Sequence, residues 1–328
     1  MLSAVQPRVI VYAAAAHATS VMAALPERCV RVANRAQFAA AARTCAVAFV
    51  DIDLLYQVDH PDVPVIAIVG PDDALAKTVR SLGMFPWLEH VVAASLLSSA
   101  SAPFHLETLI DRLCRGTPSD LLGSPGVGRV ALLAQASRRE ERFEKMRQFF
   151  AERALPDRAL RAISEISEEL VTNALYDAPL EAGYFAEPVQ RSDDVSLPNE
   201  RACEISYGFE QDTPFVRVRD TFGAFARDRL LAVLTRCNNA DVRLDSSRGG
   251  AGLGLWRVLA HASTVAITVV RGRLTDILVG VSTSGRRAGR QLQALHLFFG
   301  KESNARMEAI EAENHPEMFD NSITLMLA

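Results

Sequence analysis

The chain is poor in the features that mark several protein classes. Its five cysteines (Cys29, Cys45, Cys114, Cys203 and Cys237) are odd in number and widely scattered. None stands at a C-x-x-C spacing, which disfavours a disulfide framework or a zinc ribbon and favours reduced, mostly buried thiols. No stretch approaches the roughly 20 apolar residues needed to cross a bilayer. The apolar segment Val9-Ile-Val-Tyr-Ala-Ala-Ala-Ala16 is short and preceded only by Arg8 as positive charge. It reads as a first strand running into an Ala-rich helix rather than as a signal peptide. Long Lys/Arg blocks are absent and the net charge is −4, so nothing draws the chain globally to nucleic acid or anionic membrane. A cytoplasmic protein with neither nucleic acid nor membrane as partner is expected.

What is present is enough for two domains: 328 residues with an ordinary globular balance of apolar and charged side chains. Short apolar runs at Arg8–Tyr12, Cys29–Ala33, Val47–Asp51, Val65–Val69 and His90–Ala94 predict strands. Helical patterns at Thr19–Leu25, Gln37–Arg43, Asp73–Leu82 and Leu106–Cys114 lie between or after them. That alternation predicts an α/β fold, here a doubly wound, five-stranded parallel sheet. The Gly/Pro/Ser-rich stretches Gly116-Thr-Pro-Ser-Asp and Gly123-Ser-Pro-Gly-Val-Gly128 mark a break. The expected division is residues 1–116, a linker at 117–136, and a second domain at 137–328. Residues Ala182 to Asn199 have no clear period and read as a surface insertion.

The order of elements in the first domain resembles the receiver domain of two-component signalling, with Asp51 at the end of the third strand where the phosphoacceptor stands. The other receiver residues are missing. The acidic pair that holds Mg²⁺ is replaced by Ala13-Ala14, the hydroxyl after the fourth strand by Gly70, and Ala94–Phe104 contains no lysine. Without a metal to neutralise phosphoryl oxygens, an acyl phosphate at Asp51 is not expected. The domain reads as a pseudo-receiver that serves as a docking or dimerisation surface.

Three segments of the second domain carry chemistry together. In the first, Glu169-Leu-Val-Thr-Asn173-Ala174, the residues Ile163, Ile166, Leu170 and Ala174 form an apolar helical stripe. Glu169 and Asn173, four apart, stand on its shoulder one above the other. An amide oxygen suits Mg²⁺, and a carboxylate one turn away can orient a hydroxyl or water toward a γ-phosphate. In the second, Val218-Arg-Asp220-Thr-Phe-Gly223, alternation puts Val216, Val218 and Asp220 on one face. A buried Asp needs a partner, either the exocyclic amine of adenine or the N–H groups of the following turn. The third, Gly249-Gly250-Ala-Gly252-Leu253-Gly254-Leu255, opens a helix, where glycines let backbone N–H groups approach phosphate oxygens. It lacks the Gly-Lys-Ser/Thr of a Walker loop and does not sit in a dinucleotide-binding βαβ unit.

Together the segments resemble the N, G1 and G2 boxes of the GHKL ATPases, the superfamily of gyrase, heat-shock chaperone, histidine kinases and MutL, over roughly Ser137 to the C-terminus. The resemblance implies an α/β sandwich with a mixed sheet (the Bergerat fold) and a mobile lid at Asn238–Arg248, whose Arg243 or Arg248 would reach the phosphates. It implies ATP and Mg²⁺ as cofactors. Glu169 would be the catalytic base, as in anti-sigma-factor serine kinases, and Asn173 the Mg²⁺ ligand. Asp220 and Gly223, with Thr275 on a late strand, would hold adenine, and Gly250, Gly252, Leu253 and Gly254 the phosphates. Two departures stand out. The usual Asp-x-Gly-x-Gly reads Asp220-Thr-Phe222-Gly223-Ala224, and the His common after the first box is replaced within Tyr176-Asp177-Ala178-Pro179.

The function expected from this resemblance is an ATP-dependent serine/threonine kinase of the partner-switching type. Its partner would be an anti-anti-sigma protein, a sigma factor or another signalling protein. A non-catalytic regulator, in which nucleotide binding switches a partner surface, is the alternative. A histidine kinase ranks lower, because none of the seven histidines (His17, His60, His90, His105, His261, His296, His315) lies in Arg138–Phe150, ahead of the ATPase boxes.

Overall fold

A computed structural model describes residues 8–58, 61–72, 74–115, 127–210, 212–238, 253–283 and 292–300. The chain divides into two compact units, residues 1–123 with 293–296, and residues 124–292 with 297–328. Both are α/β in composition.

In the first unit the order is β1 (Val9–Tyr12), α1 (Ala15–Ala24), β2 (Cys29–Arg31), α2 (Arg35–Ala42), β3 (Val47–Asp51), β4 (Val65–Val69), α3 (Ala74–Met84), β5 (His90–Ala93), α4 (Ala94–Leu97) and α5 (Ala102–Arg115). The strands run parallel in the order β2-β1-β3-β4-β5. Strands β1, β3, β4 and β5 are buried at every residue, which is why they read as continuous apolar runs rather than alternating ones. Asn34 caps α2 by accepting from the N–H of Gln37 at 3.0 Å. The helix expected at Thr19–Leu25 starts earlier, at Ala15.

The second unit begins with β6 (Val127–Leu133), α6 (Arg139–Ala151), α7 (Asp157–Thr172) and, after a π-helical turn at Asn173–Asp177, α8 (Ala178–Glu181). It continues with β7 (Cys203–Glu210), β8 (Thr213–Asp220), α9 (Arg227–Asn238), α10 (Leu253–His261), β9 (Thr264–Val270) and β10 (Leu274–Gly280). Its described strands pair only antiparallel, in the order β9-β10-β8-β7-β6. The second unit's pairs β9/β10, β10/β8, β8/β7 and β7/β6 are thus antiparallel, whereas the first unit combines parallel pairs with one antiparallel pair at β5. A last strand, β11 (Ala294–Phe299), begins with three residues that pair antiparallel with β5 in the first unit.

Strand β6 corrects the expected linker at 117–136, whose second half is an ordered edge strand in register with β7. It is half solvated, with the apolar Val130 and Leu132 exposed, and its short apolar run follows directly on the Gly/Pro-rich stretch that reads as linker. Helix α7 buries Ile163, Ile166 and Leu170, and the stripe continues through Ala174. The cluster of Phe149, Phe150, Tyr207 and Phe209 packs α6 against β7, with edge-on ring contacts among them. No helix among the described residues is long and apolar enough to cross a membrane.

Candidate nucleotide site

A cleft in the second unit separates a polar wall from an apolar floor. The wall is α7, the π-helical turn and α8, which present Glu169, Asn173, Asp177 and Glu181. These four stand at successive four-residue steps, so one helical face delivers all of them to the cleft. A π-helical turn inserted in an α-helix is frequent at functional sites, and this one starts at Asn173. The floor comes from β8 and β10, with Val218 and Asp220 on one strand and Thr275 and Ile277 on the other. Phe225, Val233 and Leu255 complete the apolar lining.

Asp220 and Thr275 are direct cross-strand partners in the β8/β10 ladder. Asp220 is buried, and its Oδ1 accepts from the N–H of Phe222 at 2.8 Å and of Gly223 at 3.2 Å. Both readings of this carboxylate therefore meet at one residue, which closes the turn with one oxygen and lines the cleft as well. Burial raises its pKa to about 6, against the opposing pull of those two N–H groups and the Thr275 hydroxyl. That hydroxyl lies close enough to act on Asp220 electrostatically, yet Thr275 Oγ1 makes no hydrogen bond of proper geometry and is fully buried. A buried, unsatisfied hydroxyl in a cleft is a position at which a ligand gains a hydrogen bond.

Burial raises the Glu169 carboxyl above the ordinary carboxylate range, while Arg191 and, more weakly, the neighbouring Asn173 amide oppose the shift. A base so raised is nearer to neutrality than a surface Glu. Gly254, in the first turn of α10, packs against this same side chain, and a Cβ there would overlap the Glu169 carboxyl group. The first and third motifs therefore touch, and any side chain at the last glycine of the third would displace the Glu169 carboxyl group.

The irregular second motif leaves the cleft open. Phe222 points away from it, packing edge-on against Tyr184 with its ring under the Arg201 guanidinium. Gly223 supplies the left-handed backbone, φ +57°, that the turn requires, and a Cβ there would overlap the Val270 carbonyl. The displaced glycine thus carries the turn, and the bulky residue before it is absorbed on the far side.

Of the expected site residues, the structure brings together Glu169, Asn173, Asp220 and Thr275 around the cleft, with Gly223 and Gly254 shaping it. Gly250 and Gly252, with Arg243 and Arg248 of the expected lid, lie outside the described residues, and Leu253 is described only as the first residue of α10. Sequence reading missed Asp177 and Glu181, although they continue the spacing set by Glu169 and Asn173. It also missed two arginines. Arg191 stands 3.9 Å from Glu169 and 3.6 Å from Asp177, while Arg229 pairs with Glu181 and stands 3.8 Å from Asp177.

The donor set fits a nucleotide with Mg²⁺. Mg²⁺ takes few protein ligands and fills its shell with water and phosphate oxygens, so the Asn173 amide suffices as an anchor. Among the described residues no group of three or more His, Cys, Asp or Glu is arranged to hold a metal unaided. In the first unit Asp51, at the C-terminal end of β3, has both oxygens engaged at 2.6 Å, one by the N–H of Ala14 and one by His17 Nδ1. No family model matches this chain, and no curated protein matches it.

Proposed function

We propose that the second unit binds Mg-ATP and belongs to a signalling protein that transfers phosphate to a serine or threonine of a partner protein. The observation that carries the reading is the pairing of Asp220 with Thr275 on the cleft floor, opposite a wall bearing Glu169 and Asn173. An ionised carboxylate beside an unsatisfied hydroxyl complements the exocyclic amine and a ring nitrogen of adenine. Asn173 would hold the metal, whose charge offsets that of the phosphates, and Glu169 would accept the proton of the attacking hydroxyl. The α/β arrangement with these three motifs resembles a GHKL domain, and the first unit resembles a receiver. Engagement of both Asp51 oxygens by Ala14 and His17 supports a docking role for that unit rather than phosphorylation.

The test is calorimetric titration with ATP, ADP and GTP in Mg²⁺, followed by phosphate transfer to candidate partners. Adenine nucleotides should bind and GTP should not, since guanine presents a carbonyl where adenine presents the amine. Glu169→Gln should keep ATP affinity and lose transfer. A wild-type protein that binds ATP but neither transfers nor hydrolyses it favours the non-catalytic switch, a reading supported by the ion pairing of Glu169 with Arg191.

A further inference from the structure

The charged groups at the cleft form an alternating chain, Glu169–Arg191–Asp177–Arg229–Glu181. Arg229 has a close carboxylate of its own in Glu181. Arg191 does not. Its distances of 3.9 Å to Glu169 and 3.6 Å to Asp177 exceed hydrogen-bond length, so both contacts are Coulombic only. Arg191 is the cation that acts most strongly on the Glu169 carboxylate, with Arg257 a weaker second.

The segment that presents Arg191 is closed by a local turn and anchored on its C-terminal side. Gln190 N–H donates to the Asp193 carboxylate at 2.9 Å, and the Tyr176 hydroxyl donates to the Asp193 carbonyl at 2.9 Å. Farther on, Ser137 N–H donates to Asp194 at 2.8 Å, Ala136 N–H to the Val195 carbonyl at 2.8 Å, and Leu197 N–H to the Ala134 carbonyl at 2.7 Å. Val195 and Leu197 are buried. A stretch without helix or strand is thus pinned so that one guanidinium overhangs the acidic wall.

A terminal phosphate approaching Asn173 would meet Glu169 and Asp177, two carboxylates that repel it. The guanidinium between them reverses that field, and its planar fork fits phosphate oxygens better than it fits two carboxylates at its present distances. We infer that Arg191 is a nucleotide-contact residue, which lies between Glu169 and Asp177 in this structure and moves to the terminal phosphate of a nucleoside triphosphate, selecting ATP over ADP. The inference rests on the nucleotide reading of the cleft.

The experiment is titration of ATP and ADP, each with Mg²⁺, into the wild type, Arg191→Ala and Arg191→Lys. Wild type should prefer ATP. Arg191→Ala should weaken ATP at least tenfold and change ADP less than twofold, and Arg191→Lys should recover part of the loss as a point charge without the fork. Equal effects on both nucleotides, or no effect on either, overturn the role of Arg191 while leaving the nucleotide site standing. A wild type that binds neither nucleotide overturns the nucleotide reading and this inference with it.

Discussion

Asp220→Asn separates the cost of the site from its use. The carboxyl, ordinarily at 3.8, is raised to about 6 by burial. Each tenfold change in proton affinity is worth about 1.36 kcal/mol, so keeping Asp220 ionised at pH 7 costs the folded protein about 3 kcal/mol. The sign is opposite to that of a salt-bridged Asp. A folded-state pKa above the unfolded one gives a contribution present in full below 3.8 and lost as pH rises through about 6. Asparagine keeps the oxygen that accepts from Phe222 and Gly223 and removes the charge. Urea denaturation should therefore find the variant more stable by about 3 kcal/mol at pH 7 and by only about 1 kcal/mol at pH 4.5. Its ATP affinity should fall at least tenfold, because an amide NH₂ would then face the adenine amine, donor against donor. A variant that is no more stable at pH 7, or whose gain is the same at both pH values, would refute the burial argument. Unchanged ATP affinity would refute the adenine contact.

Three other outcomes follow from particular contacts. Gly254→Ala should push the Glu169 carboxyl group out of place, and so should lower phosphate transfer while leaving ADP affinity within about twofold, read by transfer assay and titration. Gly223→Ala should destabilise by at least about 1–3 kcal/mol, since the new side chain must adopt φ +57° against the Val270 carbonyl; an unchanged denaturation midpoint contradicts this. In the first unit, burial lowers His90 to about 3 and His105 to about 4, and His296 lies well below its ordinary 6.5. Their contribution is present above 6.5 and lost as pH falls, so His90 and His105 should each cost about 2 kcal/mol by pH 5, with His296 acting in the same direction. Denaturation midpoints that are flat between pH 7 and 5 contradict the burial of these rings.

The parts of the protein legible in sequence are those with strong local periodicity. The interior strands of the first unit are buried on both faces and read as apolar runs, and their boundaries agree to within a residue or two. The start of α1 is hidden because its first turn, Ala15-Ala16-His17-Ala18, carries no large apolar residue to set a helical period. The edge strand β6, with apolar residues on its solvated face, looked like linker. At the cleft, Glu169, Asn173 and Asp220 were legible because each stands on a regular element whose buried face is set by the pattern. Arg191 was not, since it comes from a segment without a period and its place depends on hydrogen bonds to residues 134–137 and 176. The same holds for the packed rings of His90, His105 and His296, which depend on β11 pairing with β5 more than two hundred residues away. Phe222 shows the converse case, a departure from the motif in sequence that is absorbed in space by Tyr184 and Arg201.

The central claim, that the cleft of the second unit is an adenine-nucleotide site, is tested most directly by a crystal structure with Mg-ATP soaked in. The account predicts the adenine amine within about 3 Å of the Asp220 carboxylate, with the phosphates running toward Asn173 and Gly254. Adenine bound away from Asp220 and Thr275, or a cleft left empty at saturating nucleotide, would contradict it.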